Sequence, residues 1–298
     1  MQFSLAPGGK LTGRIRVPGD KSMSHRSIML GAIAEGRTSV SGFLEGEDAL
    51  ATLSAFRAMG VEISDPQSGR LTIEGVGLRG LQAPSKTLDL GNSGTSIRLM
   101  AGLLAGQSFD TVLTGDESLL RRPMGRIINP LTQMGATIDS REGCPPLHIQ
   151  GASALDGIHY DLPVASAQVK SSVLLAGLYA SGRTSVTEPA PTRDHTERML
   201  TGFGYSVSRE KGVISVAGGG VLRGTEIDIP ADISSAAFFM VGASIAPGSD
   251  LILEHVGLRE RITNNQMLDG ALAVLLGVIL AVIAPRLWPR KKRQDGWS

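Results

Sequence analysis

Hydrophobic and polar positions recur along this chain with a period of about seventy residues. Four segments share one layout: a short apolar run, a turn marked by Pro or Gly, an apolar stretch at helical spacing, a Gly turn and another apolar run. The first goes from Ile15 and Val17 through Pro18-Gly19 to a helical pattern over Ile28 to Ile33 and then Gly36-Arg37-Thr38-Ser39-Val40. The second goes from Leu88 to Leu90 through Gly91-Asn92-Ser93-Gly94-Thr95 to Gly106, and the third from Tyr160 to Leu162 through Pro163 and Ser166 to Gly182. The fourth goes from Ile227 to Ile229 through Pro230-Ala231-Asp232 to Pro247-Gly248. Turn glycines at 36, 106, 182 and 248 lie 70, 76 and 66 residues apart. A second helix in each of the first three units ends at Met59-Gly60, Met134-Gly135 or Phe203-Gly204, where a Gly past the last turn is the expected left-handed cap. Alternation follows, as in Leu71-Thr72-Ile73 and Val213-Ile214-Ser215-Val216, which half-buried strands require. Each unit therefore reads β-α-β-α-β-β. Three units over residues 11–223 predict a closed, pseudo-threefold α/β domain, and residues 224–257 open a second one.

Bulk properties narrow the function classes. A chain of 298 residues with 42% hydrophobic and 19% charged positions can bury a large core. A net charge of +1 gives no overall field for nucleic acid, and 4% aromatic content offers few platforms for stacking bases. The single cysteine, Cys144, allows no intrachain disulfide, fits a reducing compartment, and reads as a small residue beside a Pro145-Pro146 turn. Residues 1–10 contain no apolar core of signal-peptide length.

Chemistry concentrates at the predicted helix starts. Lys21, Ser22, Ser24 and Arg26 follow the first turn. Hydroxyls there cap backbone N–H groups, the helix dipole favours an anion, and Lys21 with Arg26 one turn on forms an anion pocket. The second and third units place Asn92-Ser93-Gly94-Thr95 and Ser166-Ala167-Gln168 at equivalent starts, with Arg98 and Arg122 nearby. Equivalent helices point their N-termini to one end of the domain, so these starts are expected to converge at one cationic mouth.

Pro18-Gly-Asp-Lys-Ser-Met-Ser-His-Arg26, Gly91-Asn-Ser-Gly-Thr95, Arg121-Arg-Pro-Met-Gly125, Ala165-Ser-Ala-Gln-Val-Lys-Ser171 and Thr192-Arg-Asp-His-Thr196 stand in order over residues 1–257. Together they resemble the 5-enolpyruvylshikimate-3-phosphate synthase family, in its bacterial class II branch. The resemblance implies the enolpyruvyl transferase fold, an inside-out α/β barrel of β-α-β-α-β-β repeats in each of two domains. It implies transfer of the enolpyruvyl group from phosphoenolpyruvate to the 5-hydroxyl of shikimate 3-phosphate, on the route to chorismate and aromatic amino acids, by a cytoplasmic monomer without metal or organic cofactor. Lys21 then contacts both substrates. Ser22, Arg26, Ser166, Ala167, Gln168 and Arg193 contact shikimate 3-phosphate, Gln168 reaching both ligands, and Gly94 and Arg122 serve phosphoenolpyruvate. Catalytic roles fall to Lys21, Arg122 and Gln168. Asn92, Thr95 and Arg98 shape the loop, Arg98 as an ion-pair partner, while His25 and His195 are hydrogen-bonded scaffold. Glyphosate competes at the phosphoenolpyruvate site, where Ala in place of Gly94 intrudes on it. The sister transferase acting on UDP-N-acetylglucosamine is the alternative, but it has Lys-Asn where this chain has Lys21-Ser22.

Beyond residue 257 the resemblance stops. Residues 258–298 read as a non-family tail with an apolar helix over 270–288 and the basic end Arg290-Lys-Lys-Arg293. A frameshift or fusion product is the favoured reading and a marginal membrane anchor the alternative. The second domain is expected to be truncated, without its acid–base residues. The chain is then inactive as it stands, or a non-catalytic relict that binds shikimate 3-phosphate.

Overall fold

Three helices start in the same way, and the domain is built on them. Asp20 Oδ1 accepts a bond from the Met23 amide (2.8 Å), Ser93 Oγ from the Ser96 amide (3.1 Å), and Ser166 Oγ from the Val169 amide (3.3 Å). A short polar side chain at this position satisfies an amide that has no partner within the helix. The first cap belongs to Asp20 rather than to a serine hydroxyl. Ser24 Oγ instead donates to the Asp20 carbonyl (2.9 Å) and accepts from the Leu44 amide (3.0 Å).

The computed structural model describes residues 9–151 and 154–257. The chain begins β1 (Thr12–Ile15), α1 (Lys21–Ala32), β2 (Glu35–Ser41), α2 (Glu47–Ala58), β3 (Glu62–Ile63) and β4 (Leu71–Val76). It continues β5 (Leu88–Asp89), α3 (Gly94–Ala105), β6 (Thr111–Thr114), α4 (Gly125–Gln133), β7 (Ile138–Arg141) and β8 (Cys144–Ile149). Next come β9 (Leu155–Asp156), β10 (His159–Asp161), α5 (Ala167–Gly177), β11 (Ala180–Ser181), β12 (Arg183–Thr187), α6 (His195–Gly202), β13 (Val207–Glu210) and β14 (Val213–Ala217). The last described elements are β15 (Glu226–Asp228), α7 (Ile233–Ile245) and β16 (Asp250–Leu253). Cys144 and the Pro145–Pro146 pair, read as a turn from sequence, lie in strand β8.

Three four-stranded sheets repeat one order: β15-β2-β4-β3, β5-β6-β8-β7 and β10-β12-β14-β13. In each, the first pair is parallel and the other two pairs are antiparallel. The expected β-α-β-α-β-β unit is therefore present three times in residues 19–229, which form one compact unit. Its boundaries differ from the expected 11–223. Strand β1 leaves this unit and pairs in parallel with β16, Thr12 opposite Asp250, in a second unit that contains residues 9–18 and 230–257. Its place beside β2 is taken by β15, Ile227 opposite Val40, which the repeat pattern had assigned to the second domain. A parallel pair has no hairpin to tie its strands together in sequence, so periodicity does not reveal which run fills the slot.

Helices α1, α3 and α5 lie inside, buried along most of their length, and the sheets alternate between buried and exposed residues outside them. This is the inside-out α/β barrel. Leu99, Leu103, Val173 and Leu174 belong to one continuous core that also takes Phe56, Met134 and Phe203 from α2 and the ends of α4 and α6. In the second unit, Val17, Ala231 and Ala236 form a small core, while Phe238 on α7 is 81% exposed. Among the described residues no helix is long and apolar enough to cross a membrane. The apolar segment 270–288 and the rest of the expected tail lie outside the described residues.

Helix α3 reaches α5 through Gly102. A Cβ there would stand 2.1 Å from the Ser172 carbonyl oxygen and 2.8 Å from its Oγ. Gly to Ala in a helix interior ordinarily gains up to about 1 kcal/mol. Here the contact is backbone and cannot swing aside, so Gly102→Ala is expected to cost roughly 1–3 kcal/mol. A urea midpoint equal to or above that of the parent would contradict this packing.

Candidate functional site

Within residues 19–229 the three helix starts are wired to one another. Gln168 at the start of α5 donates from Nε2 to Thr95 Oγ1 (2.9 Å) and accepts at Oε1 from Arg98 Nη1 (3.0 Å), both on α3. His25 on α1 meets Ser93 Oγ through Nε2 (3.2 Å) and Thr52 Oγ1 on α2 through Nδ1 (2.8 Å). Arg26 joins α1 to both α5 and α6: Nη2 donates to Ser171 Oγ (2.9 Å) and Nε to Thr196 Oγ1 (2.7 Å), while Nη1 donates to the Ser22 carbonyl (2.9 Å). The expected convergence is present, fixed by side-chain bonds between positions as far as 170 residues apart.

The cations divide into two sets. Arg26 is 4% exposed and spends its guanidinium inward; burial lowers its pKa to about 10, while Glu197 and Asp20 oppose that shift. The pocket expected between Lys21 and Arg26 is therefore not formed by both. Lys21 stays about half exposed and pairs with Asp48 in the first turn of α2. At the α3 start, Arg122 Nη2 donates to Asn92 Oδ1 and to Ser118 Oγ (3.3 Å). Asn92 Nδ2 donates in turn to Asp116 Oδ2 (2.8 Å), and the Leu119 amide donates to Asp116 Oδ1 (2.8 Å). Those bonds, the Leu119 amide foremost, hold the Asp116 carboxyl below its ordinary range. Arg98, read as an ion-pair partner, bonds neutral oxygens of Gly94 (3.1 Å), Gln168 (3.0 Å) and Pro123 (3.4 Å). Burial first, then the like charges of Arg122 and Arg126, push its pKa down. A small anion at this end would relieve that crowding.

Gly94 explains why the crowding is possible. A Cβ there would lie 2.7 Å from Arg122 Nη1 and 2.9 Å from Arg98 Nη1. Ser22, Ser166, Ala167 and Gln168 are part-buried at their helix starts, and Arg193 is exposed on the segment entering α6. His195 Nδ1 stands 3.8 Å from Asp20 Oδ1, and burial lowers its pKa more than that carboxylate raises it. Among the described residues no cluster of His, Cys, Asp and Glu has metal-ligand geometry. An open groove of about 1130 Å³ lies elsewhere, against the first sheet at Ser41, Arg70, Glu226 and Asp228, and contains none of these residues.

Sequence reasoning missed the buried charges behind the mouth. Lys170, with no exposed side-chain surface, sits 3.0 Å from Glu188 Oε2 and 2.7 Å from Glu197 Oε1. A lone cation in the apolar run of α5 was the available signal. Its partners, 18 and 27 residues further on, carry no local mark.

Fold and site together define a three-repeat α/β domain whose polar helix starts converge beside Arg98 and Arg122. Residues 5–273 match the family described as EPSP synthase (3-phosphoshikimate 1-carboxyvinyltransferase), and the chain belongs to that family. The chain is 70% identical over 259 residues to the 3-phosphoshikimate 1-carboxyvinyltransferase of Alkalilimnicola ehrlichii, covering 87% of this chain and 58% of the relative. It is 62% identical over 287 residues to that of Methylococcus capsulatus, covering 95% of this chain and 64% of the relative. A 2.37 Å structure of EPSP synthase from Acinetobacter baumannii superposes with a TM-score of 0.80 at 62% identity, covering 84% of this chain and 57% of that one. The chain thus spans about three fifths of the length of these relatives. The family match runs past residue 257, so the boundary placed there from sequence is too early.

His25 sets a pH dependence. It is fully buried, and burial, then Lys21, lowers its pKa from 6.5 to about 4. Between those values the unfolded chain binds a proton that the folded chain does not, so acidification favours unfolding. The stability is complete above about 6.5 and falls, by up to about 3 kcal/mol, as pH drops to 4. Urea midpoints measured between pH 7.5 and 4 are expected to show this decline, and His25→Gln to flatten it.

Proposed function

We propose that this chain carries the substrate-binding mouth of an enolpyruvyl transferase that joins shikimate 3-phosphate to phosphoenolpyruvate. The observation that carries this reading is the bonding of Gln168, Thr95 and Arg98 across two helix starts, beside Gly94 and Arg122. Family membership and the names of the relatives support it.

In this reading the 5-hydroxyl of shikimate 3-phosphate gives up its proton as its oxygen bonds to C2 of phosphoenolpyruvate, and the methylene takes a proton. Phosphate then leaves as the methyl group gives a proton up. Both substrates are polyanions, and charge shifts towards the bridging and leaving oxygens. Groups fixed in advance at a part-buried mouth stabilise that shift without reorganising. Lys21 lies between the two ligands. Ser22, Ser166, Ala167, Gln168 and Arg193 hold the 3-phosphate ligand, with Arg26 bracing the helix starts behind them. Gly94 and Arg122 receive phosphoenolpyruvate, and a planar guanidinium suits its carboxylate or phosphate. His25 does not move the proton in this scheme, because both ring nitrogens bond Thr52 and Ser93 in the interior. The reading takes the protein as a cytoplasmic monomer without a cofactor.

Calorimetry with shikimate 3-phosphate tests the proposal. The chain is expected to bind it, and Lys21→Ala to weaken binding by about 1.5–3 kcal/mol, or roughly 10–150-fold. Equal affinity in parent and variant would remove Lys21 from the site. Gly94→Ala separates the two subsites, since the new methyl group displaces only the ends of the Arg122 and Arg98 side chains. The variant is expected to fold, to keep its affinity for shikimate 3-phosphate within about threefold, and to bind glyphosate in the ternary mixture about tenfold or more weakly.

A further inference from the structure

The segment from Glu188 to Glu197 carries Arg193 and opens helix α6, and Pro189 to Pro191 within it belong to no regular element. An exposed stretch with few backbone bonds of its own does not hold an arginine in one place. Something outside it must, and the buried charges behind the mouth are arranged to do so.

Lys170 lies on α5 one turn beyond Ser166 and two residues beyond Gln168. Its ammonium group meets Glu188 Oε2 at 3.0 Å, at the beginning of the segment, and Glu197 Oε1 at 2.7 Å, at its end. The other oxygen of Glu188 accepts from Thr192 Oγ1, the hydroxyl next to Arg193. Side-chain exposure is 0% for Lys170, 5% for Glu188 and 9% for Glu197, so water does not compete for these charges. A second fastening runs beside it: Thr196 Oγ1 bonds Ser171 Oγ (2.7 Å) and receives Arg26 Nε (2.7 Å). Arg209 approaches Glu197 at 3.7 Å from the solvent side.

We propose that Lys170 is a positioning residue which, without touching substrate, ties both ends of the Glu188 to Glu197 segment to helix α5 and so sets where Arg193 stands relative to Ser166 and Gln168. This deepens the proposed function and rests on it for the identity of the ligand. Three features support a positioning role over simple cohesion. The lysine bridges the two ends of one segment rather than two elements at a single point. The lysine itself stands on the first turns of α5, four residues from Ser166 and two from Gln168, which are proposed phosphate contacts. The free Glu188 oxygen is spent on the residue adjoining Arg193. A buried ion pair is a poor source of stability compared with apolar packing, but it defines one geometry and no other.

The test uses the full chain with Glu188→Gln, which keeps the shape and removes the charge, alone and combined with Arg193→Ala. In the free protein, amide hydrogen exchange at Arg198, whose amide bonds the Asp194 carbonyl (3.0 Å), and at its neighbours in α6 is expected to accelerate about fivefold or more, with α3 and the interior of α5 unchanged. Calorimetry with shikimate 3-phosphate is expected to give about tenfold weaker binding for Glu188→Gln and for Arg193→Ala. The double variant should be no weaker than Arg193→Ala within about twofold, because the first change acts through the second residue. Unchanged exchange at Arg198 and its α6 neighbours, or multiplicative losses in the double variant, would overturn the inference. If the parent chain does not bind shikimate 3-phosphate, the functional reading fails and the exchange result alone decides the positioning role.

Discussion

Three helices that are buried along most of their length begin in polar turns, and this constraint governs the rest of the domain. Burying α1, α3 and α5 gives the core its continuity, but it also brings Asp20, His25, Ser93, Thr95, Ser166 and Gln168 close to the interior. Each polar group taken from water must find a partner or lose more than the burial supplies. The partners come from neighbouring helix starts, since the repeats place like elements side by side. The same requirement therefore satisfies the caps, locks α3 to α5 at Gln168, and gathers the amide-rich ends at one place.

Cations within this arrangement serve two purposes, and burial decides which. Arg26 and Lys170 are almost wholly enclosed and matched by hydroxyls or carboxylates, so they brace the scaffold. Lys21, Arg122 and Arg193 retain exposed surface, and Arg98 is part-buried, its charged form disfavoured first by burial and then by Arg122 and Arg126. Fixed positive charge that the fold has already assembled can meet an anion at little reorganisation cost. Lys21 is paired with Asp48 at the start of α2, so its position is tied to a neighbouring helix.

The sheets are exchangeable in a way the helices are not. All three have the same strand order, yet one slot is filled by β15, whose residues lie more than 180 positions from its neighbour β2. Strand β1, which precedes α1 as its counterparts precede α3 and α5, serves the other unit instead. The compact unit is consequently entered at Gly19 and left at Ile229, close to Pro18 and Pro230, and the two crossings leave its repeat symmetry complete.

How much was legible follows the range of the interactions. Helical spacing, glycine-marked turns and strand alternation are local, so the β-α-β-α-β-β unit, its threefold recurrence and the helix starts of Ser93 and Ser166 could be read from residues a few positions apart. That Lys21, Gly94 and Gln168 stand at those starts was legible for the same reason, because each lies within a few residues of the turn that opens its helix. What needed the tertiary structure was every choice among distant partners. Asp20 rather than a serine caps α1, Arg26 turns inward, Arg98 takes carbonyl and amide oxygens instead of a carboxylate, and Lys170 finds Glu188 and Glu197. Sequence fixes which residues carry charge and where each helix begins, since these depend on near neighbours. Which charges are buried and paired, and which strand completes a parallel sheet, depends on the packing of the whole domain, because desolvation and parallel pairing leave no periodic trace along the chain.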